Sequence, residues 1–308
     1  MGAEIVFVNV CLMLLYMLCG FALVKFKKAE SSHAKSVSAL LIYVCGPCMI
    51  ISAFQSMQYT KENSIKAGLF LLVSLLAQFL FFLVIYFLLR KKYNDAKYRV
   101  LSVGAMLGNV GFFGLPVVTA MFPNEPIVAC YSTLYVTSMN FLVFTVGVFL
   151  ITNDRKYMSL KAAILNPTTL SLLAALPLYF FGINLPEQVG AVVSLLGKMT
   201  TPLCMLVLGM RLASVEFKKL FKRPFVYVVC FLKLIIFPLF AYGLVYFIPG
   251  FDDVFKACLF VLSCAPCGAV ILSLAEMHEC EQELTANIVL VTTILSVVTI
   301  PTMLYIVL

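Results

Sequence analysis

Charged residues are scarce in this sequence. Asp, Glu, Lys and Arg make up 12% of the 308 residues, whereas hydrophobic residues make up 63%. Together with a mean hydropathy of +1.05, this composition excludes a soluble globular protein. It predicts an all-α protein that crosses the lipid bilayer many times. The net charge of +8 belongs to short loops between apolar segments, so we expect no nucleic-acid partner.

Motifs for ATP, metal ions and cofactors are also missing. The sequence contains no Gly-x-x-x-x-Gly-Lys-Ser/Thr segment, which excludes ATP-driven transport by this chain. Its two histidines, His33 and His278, fall in predicted loops without a second ligand at metal-binding spacing. We therefore expect no metal, no cofactor and no enzymatic activity.

Ten apolar segments predict membrane-spanning helices. They cover residues 5–24, 37–57, 67–89, 100–122, 127–151, 168–185, 189–213, 224–248, 255–275 and 284–307. The loops after spans one, three, five and seven hold sixteen basic residues, namely Lys25, Lys27, Lys28, Lys35, Arg90, Lys91, Lys92, Lys97, Arg99, Arg155, Lys156, Lys161, Lys218, Lys219, Lys222 and Arg223. The loops after spans two, four, six and eight hold only Lys61 and Lys66. The positive-inside rule then predicts both termini outside, in a bacterial-type inner membrane.

Carboxylates are absent from the interior of all ten predicted spans. Ion-coupled carriers usually keep such groups at membrane depth to bind Na⁺ or H⁺. Sodium–proton antiport is therefore not expected. Sodium symport stays open as an alternative, because hydroxyls such as those of Thr292, Thr293 and Ser296 could hold an ion.

A helix break is predicted inside span four, at residues 108–116 (GNVGFFGLP). A spanning helix must satisfy its own backbone hydrogen bonds, and irregular backbone is tolerated only where it is buried or lines a polar cavity. Pro116 suits the first turn of a second half-helix. Freed amides near Gly114 and Pro116, with the polar side chain of Asn109, would then face the bilayer midplane and suit an anion.

Residues 263–268 (SCAPCG) predict a matching break in span nine. Ten spans divided into two fives make any duplication an inverted repeat. When the sequence is aligned with itself at an offset of 155 residues, Pro47 aligns with Pro202 and Gly111 aligns with Pro266. We therefore expect one five-helix repeat at residues 1–151, a cytoplasmic linker at 152–167 and a second repeat at 168–308. If spans four and nine cross, two positive helix ends meet at one point.

These motifs resemble the auxin efflux carrier family, which includes bacterial organic-acid permeases and PIN-type plant carriers. The similar residues are 109–116, 265–268, 275–278, Thr292, Thr293 and 299–301. The resemblance implies a bile-acid-symporter-like fold, with spans one, two, six and seven as a scaffold. Spans three to five and eight to ten would form a moving domain with crossing broken helices. It also implies elevator-type alternating access, homodimers and a substrate-contacting role for Asn109.

Three cations lie within predicted spans. Lys198 lies four residues before Pro202 and either faces the substrate path or reaches the outer surface. Lys233 is expected to extend its charged end toward the cytoplasmic surface. Arg211 is expected to anchor the topology. Asn140, in span five, either lines the cavity or bonds between helices.

The cysteines suggest a different function. Cys45 and Cys48, and again Cys264 and Cys267, have the CxxC spacing of thiol–disulfide oxidoreductases. In soluble redox proteins such a pair is exposed at a helix N-terminus, which stabilises its thiolate. Here both pairs fall at membrane depth. A membrane thiol oxidoreductase is therefore only an alternative.

The sequence predicts a secondary transporter for a small organic anion, such as a mono- or dicarboxylate or an auxin-like acid. Its partners would be that anion and the lipid bilayer. The predicted substrate-binding residues are Gly108, Asn109, Gly111, Gly114, Pro116, Asn140, Lys198, Ala265, Pro266, Cys267, Gly268 and Thr293. Pro47 and Pro202 are expected to form the scaffold wall that faces them.

Overall fold

A computed structural model describes residues 2–214 and 223–308, with side chains from residue 4 onward. Lys218, Lys219 and Lys222, three of the basic residues behind the charge asymmetry, lie outside the described residues. Within the described ranges every regular element is helical.

Twelve helices organise the described chain. In chain order they are α1 (Glu4–Lys25), α2 (Ser31–Gln55), α3 (Lys61–Lys92), α4 (Ala96–Met106), α5 (Val110–Met121), α6 (Ile127–Thr152), α7 (Arg155–Phe180), α8 (Glu187–Ser214), α9 (Pro224–Tyr246), α10 (Asp253–Ser263), α11 (Ala269–Met277) and α12 (Gln282–Val307). Eight of them are long and apolar enough to cross a membrane. The other four, α4, α5, α10 and α11, are the halves of predicted spans four and nine.

Both predicted helix breaks are present, and the two broken segments touch. After α4 the backbone becomes extended at Leu107, and after α10 it leaves the helix until Gly268. The two stretches pair in antiparallel fashion at Gly108 and Cys267. The amide of Asn109 donates to the carbonyl of Pro266 at 2.7 Å, and the amide of Gly268 donates to that of Leu107 at 3.1 Å. Residues 107–109 and 266–268, called the crossing below, thus satisfy each other's backbone groups.

Widened π-helical turns occur in four helices. The one in α6, Val143–Gly147, has no proline after it, whereas those in α2, α5 and α9 are each followed closely by a proline. These three turns are Leu41–Cys45, Val110–Gly114 and Leu232–Ile236, and the prolines are Pro47, Pro116 and Pro238. Proline lacks an N–H and its ring collides with the carbonyl four residues earlier, so a wider turn relieves the contact. The turn in α9 carries Lys233 and therefore sets where that side chain points.

Helices α1 and α8 pack with their backbones almost in contact. A Cβ atom on Gly20 would lie 2.1 Å from the carbonyl oxygen of Leu206, and one on Gly209 would lie 1.9 Å from that of Met17. Small residues permit such close approach between helices in membranes. This pair lies beside the crossing, because Cys204 of α8 contacts Asn109.

Candidate functional site

A cavity of about 220 Å³ lies against the crossing. Its walls come from α5, α6 and α11 on one side and from α2, α7 and α8 on the other. Five of the predicted site residues line it: Gly108, Asn109, Gly111, Asn140 and Gly268. Further polar groups come from Ser38, Asn166, Thr168, Arg211 and Ser273. We call it the crossing cavity.

Asn109 is held in place by its backbone, which leaves its side chain to the cavity. Its carbonyl accepts hydrogen bonds from the amides of Phe113 and Gly114 at 2.9 and 3.2 Å. The residue is only 5% exposed, and its side-chain Nδ2 lies 4.0 Å from Sγ of Cys204, a weak contact. Among the described residues no closer polar group engages this amide, so a ligand in the cavity could use it.

Two helix N-termini open onto the crossing cavity. The first amides of α5, at Val110 to Phe112, and those of α11, at Ala269 and Val270, have no acceptor in a preceding turn. All of these residues line the cavity. Both helices therefore direct their positive dipole ends and unused donors at the same space. This arrangement suits a small anion.

The amides that face the cavity differ from those predicted. Freed amides were expected near Gly114 and Pro116. Instead the helical run begins at Val110, and the amide of Gly114 donates to Asn109. Gly114 packs against α10, where a Cβ atom would lie 3.1 Å from Leu262. Because the widened turn Val110–Gly114 precedes Pro116, the helix begins before the proline rather than at it. The sequence alone does not show this turn.

Ala265, Pro266 and Cys267 form the packed core of the crossing rather than its cavity wall. All three are buried. The amide of Cys267 donates to Oγ1 of Thr292 at 3.1 Å, and its thiol donates to the carbonyl of Gly104 at 3.0 Å. These bonds fix the second broken segment against α12 and α4.

Thr293, one of the predicted site residues, does not reach either the crossing or its cavity. Its hydroxyl donates to Val289 in its own helix at 2.7 Å. The neighbouring Thr292 is the residue that contacts the crossing. Hydropathy could not distinguish the two threonines, because the rotation of α12 about its axis depends on packing.

Lys233 is the residue that the sequence interpretation placed wrongly. It is fully buried, whereas its charged end was expected at the cytoplasmic surface. Its Nζ lies 3.4 Å from the carbonyl oxygen of Ser263 and 4.3 Å from the centre of the Phe237 ring. A Cβ atom on Gly108 would lie 3.0 Å from it. Lys233 lies on the wide turn Leu232–Ile236, which a local sequence pattern does not show.

A second cavity of about 430 Å³ lies between α1, α2, α5 and α8. Lys198, Pro116 and Pro202 line it, with Ser52, Ser56, Thr119 and Thr201 as further polar groups. Met49 lines both cavities, whereas Pro47 lines neither. Pro116, Pro202 and Lys198 therefore line one cavity, and Asn109 lines the other. We call this space the Lys198 cavity.

An ion pair stands beside the crossing cavity. Arg211 lines the cavity, and its guanidinium lies 2.8 Å from a carboxylate oxygen of Glu276. Arg211 was expected only to anchor the topology. It also connects α8 to the last turn of α11.

The CxxC pairs give no support to a redox role. All eleven cysteines are free thiols. Cys264 and Cys267 are completely enclosed, and Cys267 uses its S–H to hold the crossing. A soluble thiol or disulfide partner needs access to a sulfur atom, and these two sulfurs offer none. Buried cysteines of this kind pack as small apolar residues.

Comparison with known proteins agrees with the membrane architecture. The family model described as "Membrane transport protein" matches residues 5–162 and 155–304. The chain is also 27% identical over 298 residues to the uncharacterized transporter MJ1031 of Methanocaldococcus jannaschii, covering 94% of this chain and 95% of that protein. The resemblance to auxin efflux carriers is thereby confirmed at the level of the family. The protein is an integral membrane protein and belongs to this membrane transport protein family.

Proposed function

We propose that the protein is a secondary transporter that moves a small organic anion, such as a mono- or dicarboxylate or an auxin-like acid. One observation carries the proposal: two helix N-termini and the amide of Asn109 face a single cavity at the crossing. Backbone N–H donors with a positive dipole end bind carboxylates and phosphates without a dedicated cation. Asn109, Gly108, Gly111 and Gly268 would contact the substrate directly.

Movement of one group of helices past another would carry this site across the membrane. In this proposal α1, α2, α7 and α8 form the scaffold, and α3–α6 with α9–α12 form the moving domain. The ten spans would be two inverted five-helix repeats with both termini outside, in a homodimer in a bacterial inner membrane. In support, both cavities lie between helices of the two groups. The Lys198 cavity would then be the space that receives substrate on the opposite side.

Export is the default direction for such a carrier if no ion is coupled. An inside-negative membrane potential drives an anion outward by about 2.3 kcal/mol per charge for each 100 mV. Entry of a proton with the substrate would remove that charge and allow uptake. In the described spans the crossing cavity has no carboxylate in its wall that would bind a coupling cation.

Ligand-induced thermal stabilisation tests the site. The purified full chain would be heated with lactate, malate, benzoate or indole-3-acetate, in sodium and in potassium buffers. A ligand that binds only the folded state raises stability, by about 2.7 kcal/mol at one hundred times its dissociation constant. We expect at least one acid to raise the melting temperature of the wild type. Asn109→Ala should abolish that rise while leaving the unliganded melting temperature nearly unchanged.

Asn63→Ala is the matched control, because Asn63 sits at the start of α3 and bonds to the carbonyl of Gln58. Asn63→Ala should show the same ligand-induced rise in melting temperature as the wild type. A response in Asn109→Ala equal to that of the wild type would refute the site. A rise that appears only in sodium would instead support the sodium-coupled symporter on the same fold.

A further inference from the structure

Lys233 carries a positive charge into the most enclosed part of the protein. Its side chain is fully buried near the middle of α9, on the wide turn Leu232–Ile236. The atoms around its Nζ are the carbonyl oxygen of Ser263 at 3.4 Å and the face of the Phe237 ring, with its centre at 4.3 Å. The titratable groups facing it are the thiols of Cys264 and Cys267. In the part of the chain that the structure describes, no carboxylate forms an ion pair with it.

A buried cation without an anionic partner destabilises the fold. One carbonyl and one aromatic face replace only part of the hydration that an ammonium loses. Basic residues inside spanning segments therefore face a partner charge or a substrate path. The missing negative charge at Lys233 is one that a bound anion could supply.

The position of Lys233 relative to the crossing cavity supports this role. Gly108 lines the cavity. A Cβ atom on Gly108 would stand 3.0 Å from Nζ of Lys233, which is not itself among the residues that line the cavity. The ammonium therefore lies against a residue of the cavity wall, beside the space where two helix N-termini converge. The neighbouring residues 263–268 are buried, so the charge is screened less than one at the surface.

We propose that Lys233 is the charge-bearing positioning residue for the transported anion. It attracts the carboxylate through the backbone of Gly108 and does not touch it. The inference rests on the proposed function, since it needs an anion in the crossing cavity. It adds that recognition is selective for a negative charge, beyond the hydrogen bonds that Asn109 and the helix amides would give to any acceptor.

A purely structural role predicts something different. Lys233 could have only a packing role, in which it donates a hydrogen bond to the carbonyl of Ser263 and holds α10 in place. Lys233→Gln separates the two roles, because a glutamine amide can still donate to that carbonyl but has no charge. Lys233→Met removes both the donor and the charge. Gly243→Ala, in the same helix with no atom within 4 Å of the added methyl, is the control for handling and yield.

The experiment measures dissociation constants for acids and for their uncharged amides. The probe pairs are lactate with lactamide, benzoate with benzamide, and indole-3-acetate with indole-3-acetamide, on the full chain in lipid nanodiscs. The wild type should prefer the acid of at least one pair. Lys233→Gln should lower the affinity for that acid by on the order of tenfold to one hundredfold, as expected for loss of a poorly screened charge several ångströms away. Its affinity for the amide should stay within about twofold.

The outcomes distinguish the inference from the proposed function. An acid-to-amide preference in Lys233→Gln equal to that of the wild type would overturn the role of Lys233 and leave the anion site intact. If neither lysine variant folds, the wild type alone decides, since equal affinity for acid and amide would also overturn it. If the wild type binds no acid at all, the proposed function is wrong and this inference falls with it.

Discussion

Gly108 has close neighbours that would have to shift slightly to admit a side chain. The residue lines the crossing cavity, and it also lies against the ammonium of Lys233. Its backbone also pairs with Cys267. Glycine allows this close approach, because the Cβ atom of any other residue would stand 3.0 Å from Nζ of Lys233.

Gly108→Ala should therefore impair binding more than folding. The new methyl group would lie 3.0 Å from Nζ of Lys233, and the flexible end of that side chain can move away by a few tenths of an ångström. We expect a stability loss of about 1 kcal/mol, at the low end for overpacking, together with weaker anion binding. Thermal unfolding with and without benzoate or indole-3-acetate measures both effects.

The control for this change is Gly243→Ala, which adds a methyl group in open space on α9. It should stabilise the helix slightly, because alanine has the higher helix propensity. Anion binding by Gly108→Ala at the wild-type level would show that the spacing between Lys233 and the cavity is unimportant.

Single residues differ in how well the sequence predicts their roles. The position of Asn109 at the cavity was predictable, because one polar residue among glycines in an apolar span has few other uses. Lys233 was not, because its depth in the span fits a lysine that reaches the surface as well as one that points inward. The wide turn before Pro238 decides between them, and it becomes visible only in three dimensions.

At the scale of elements, α8 lines both cavities, and its close partner α1 lines the Lys198 cavity. Asn9 on α1 and Thr201 on α8 line the Lys198 cavity, and Cys204 and Arg211 on α8 line the crossing cavity. The backbones approach at Gly20 and Gly209, so there the contact consists of main chain against main chain. Main-chain atoms cannot move aside as a side chain can.

Gly209→Ala should thus be strongly destabilising. The added methyl would fall 1.9 Å from the carbonyl oxygen of Met17, so α1 and α8 must separate. Overpacking of this kind costs about 1–3 kcal/mol and occasionally more. The expected result is a lower melting temperature and lower folded yield by size-exclusion chromatography.

Gly68→Ala on α3 provides the comparison, because nothing lies within 4 Å of its new methyl group. It should behave as the wild type. Equal melting temperatures for Gly209→Ala and Gly68→Ala would mean that α1 and α8 are not packed as described.

Hydropathy and helix breakers predicted the elements well. Long apolar runs gave the spanning helices, and the Gly/Pro clusters gave both interruptions, at residues 107–109 and 264–268. The pairing of the two interruptions through Asn109 and Pro266, and of Gly268 with Leu107, could not be derived in the same way. It depends on how distant helices pack, which a local pattern does not encode.

At the scale of the whole molecule, the ion pair Arg211–Glu276 connects the proposed scaffold to the proposed moving domain. It joins α8 to α11 beside the crossing cavity, with N and O 2.8 Å apart. Glu276 is half exposed, so the pair is partly screened by solvent. Such a contact can bias one arrangement of the helices without fixing it.

Glu276→Gln should shift the balance between the two arrangements by a small factor. Exposed ion pairs contribute about 0.2–1 kcal/mol, which corresponds to a change of roughly 1.4-fold to fivefold in an equilibrium. The transport rate in proteoliposomes should change within that range, in a salt-dependent way. Glu276→Gln is the informative change, because Arg211 also lines the crossing cavity and its removal would affect anion binding as well as the ion pair.

A comparable pair, Arg223 with Glu283 at 2.9 Å, joins the starts of α9 and α12 within the proposed moving domain. Glu283→Gln is therefore the matched control and should leave the rate unchanged. A larger effect from Glu283→Gln than from Glu276→Gln would contradict the division into scaffold and moving domain.

The measurement that tests the central claim most directly is anion export from proteoliposomes under an imposed inside-negative potential. The wild type and Asn109→Ala would be reconstituted at equal density and loaded with radiolabelled benzoate or indole-3-acetate. The account predicts that the wild type exports at least one of these acids, faster as the potential becomes more negative. Asn109→Ala should fall to the rate of protein-free vesicles. Export by Asn109→Ala at the wild-type rate would contradict the claim that the anion crosses the membrane bound at the crossing.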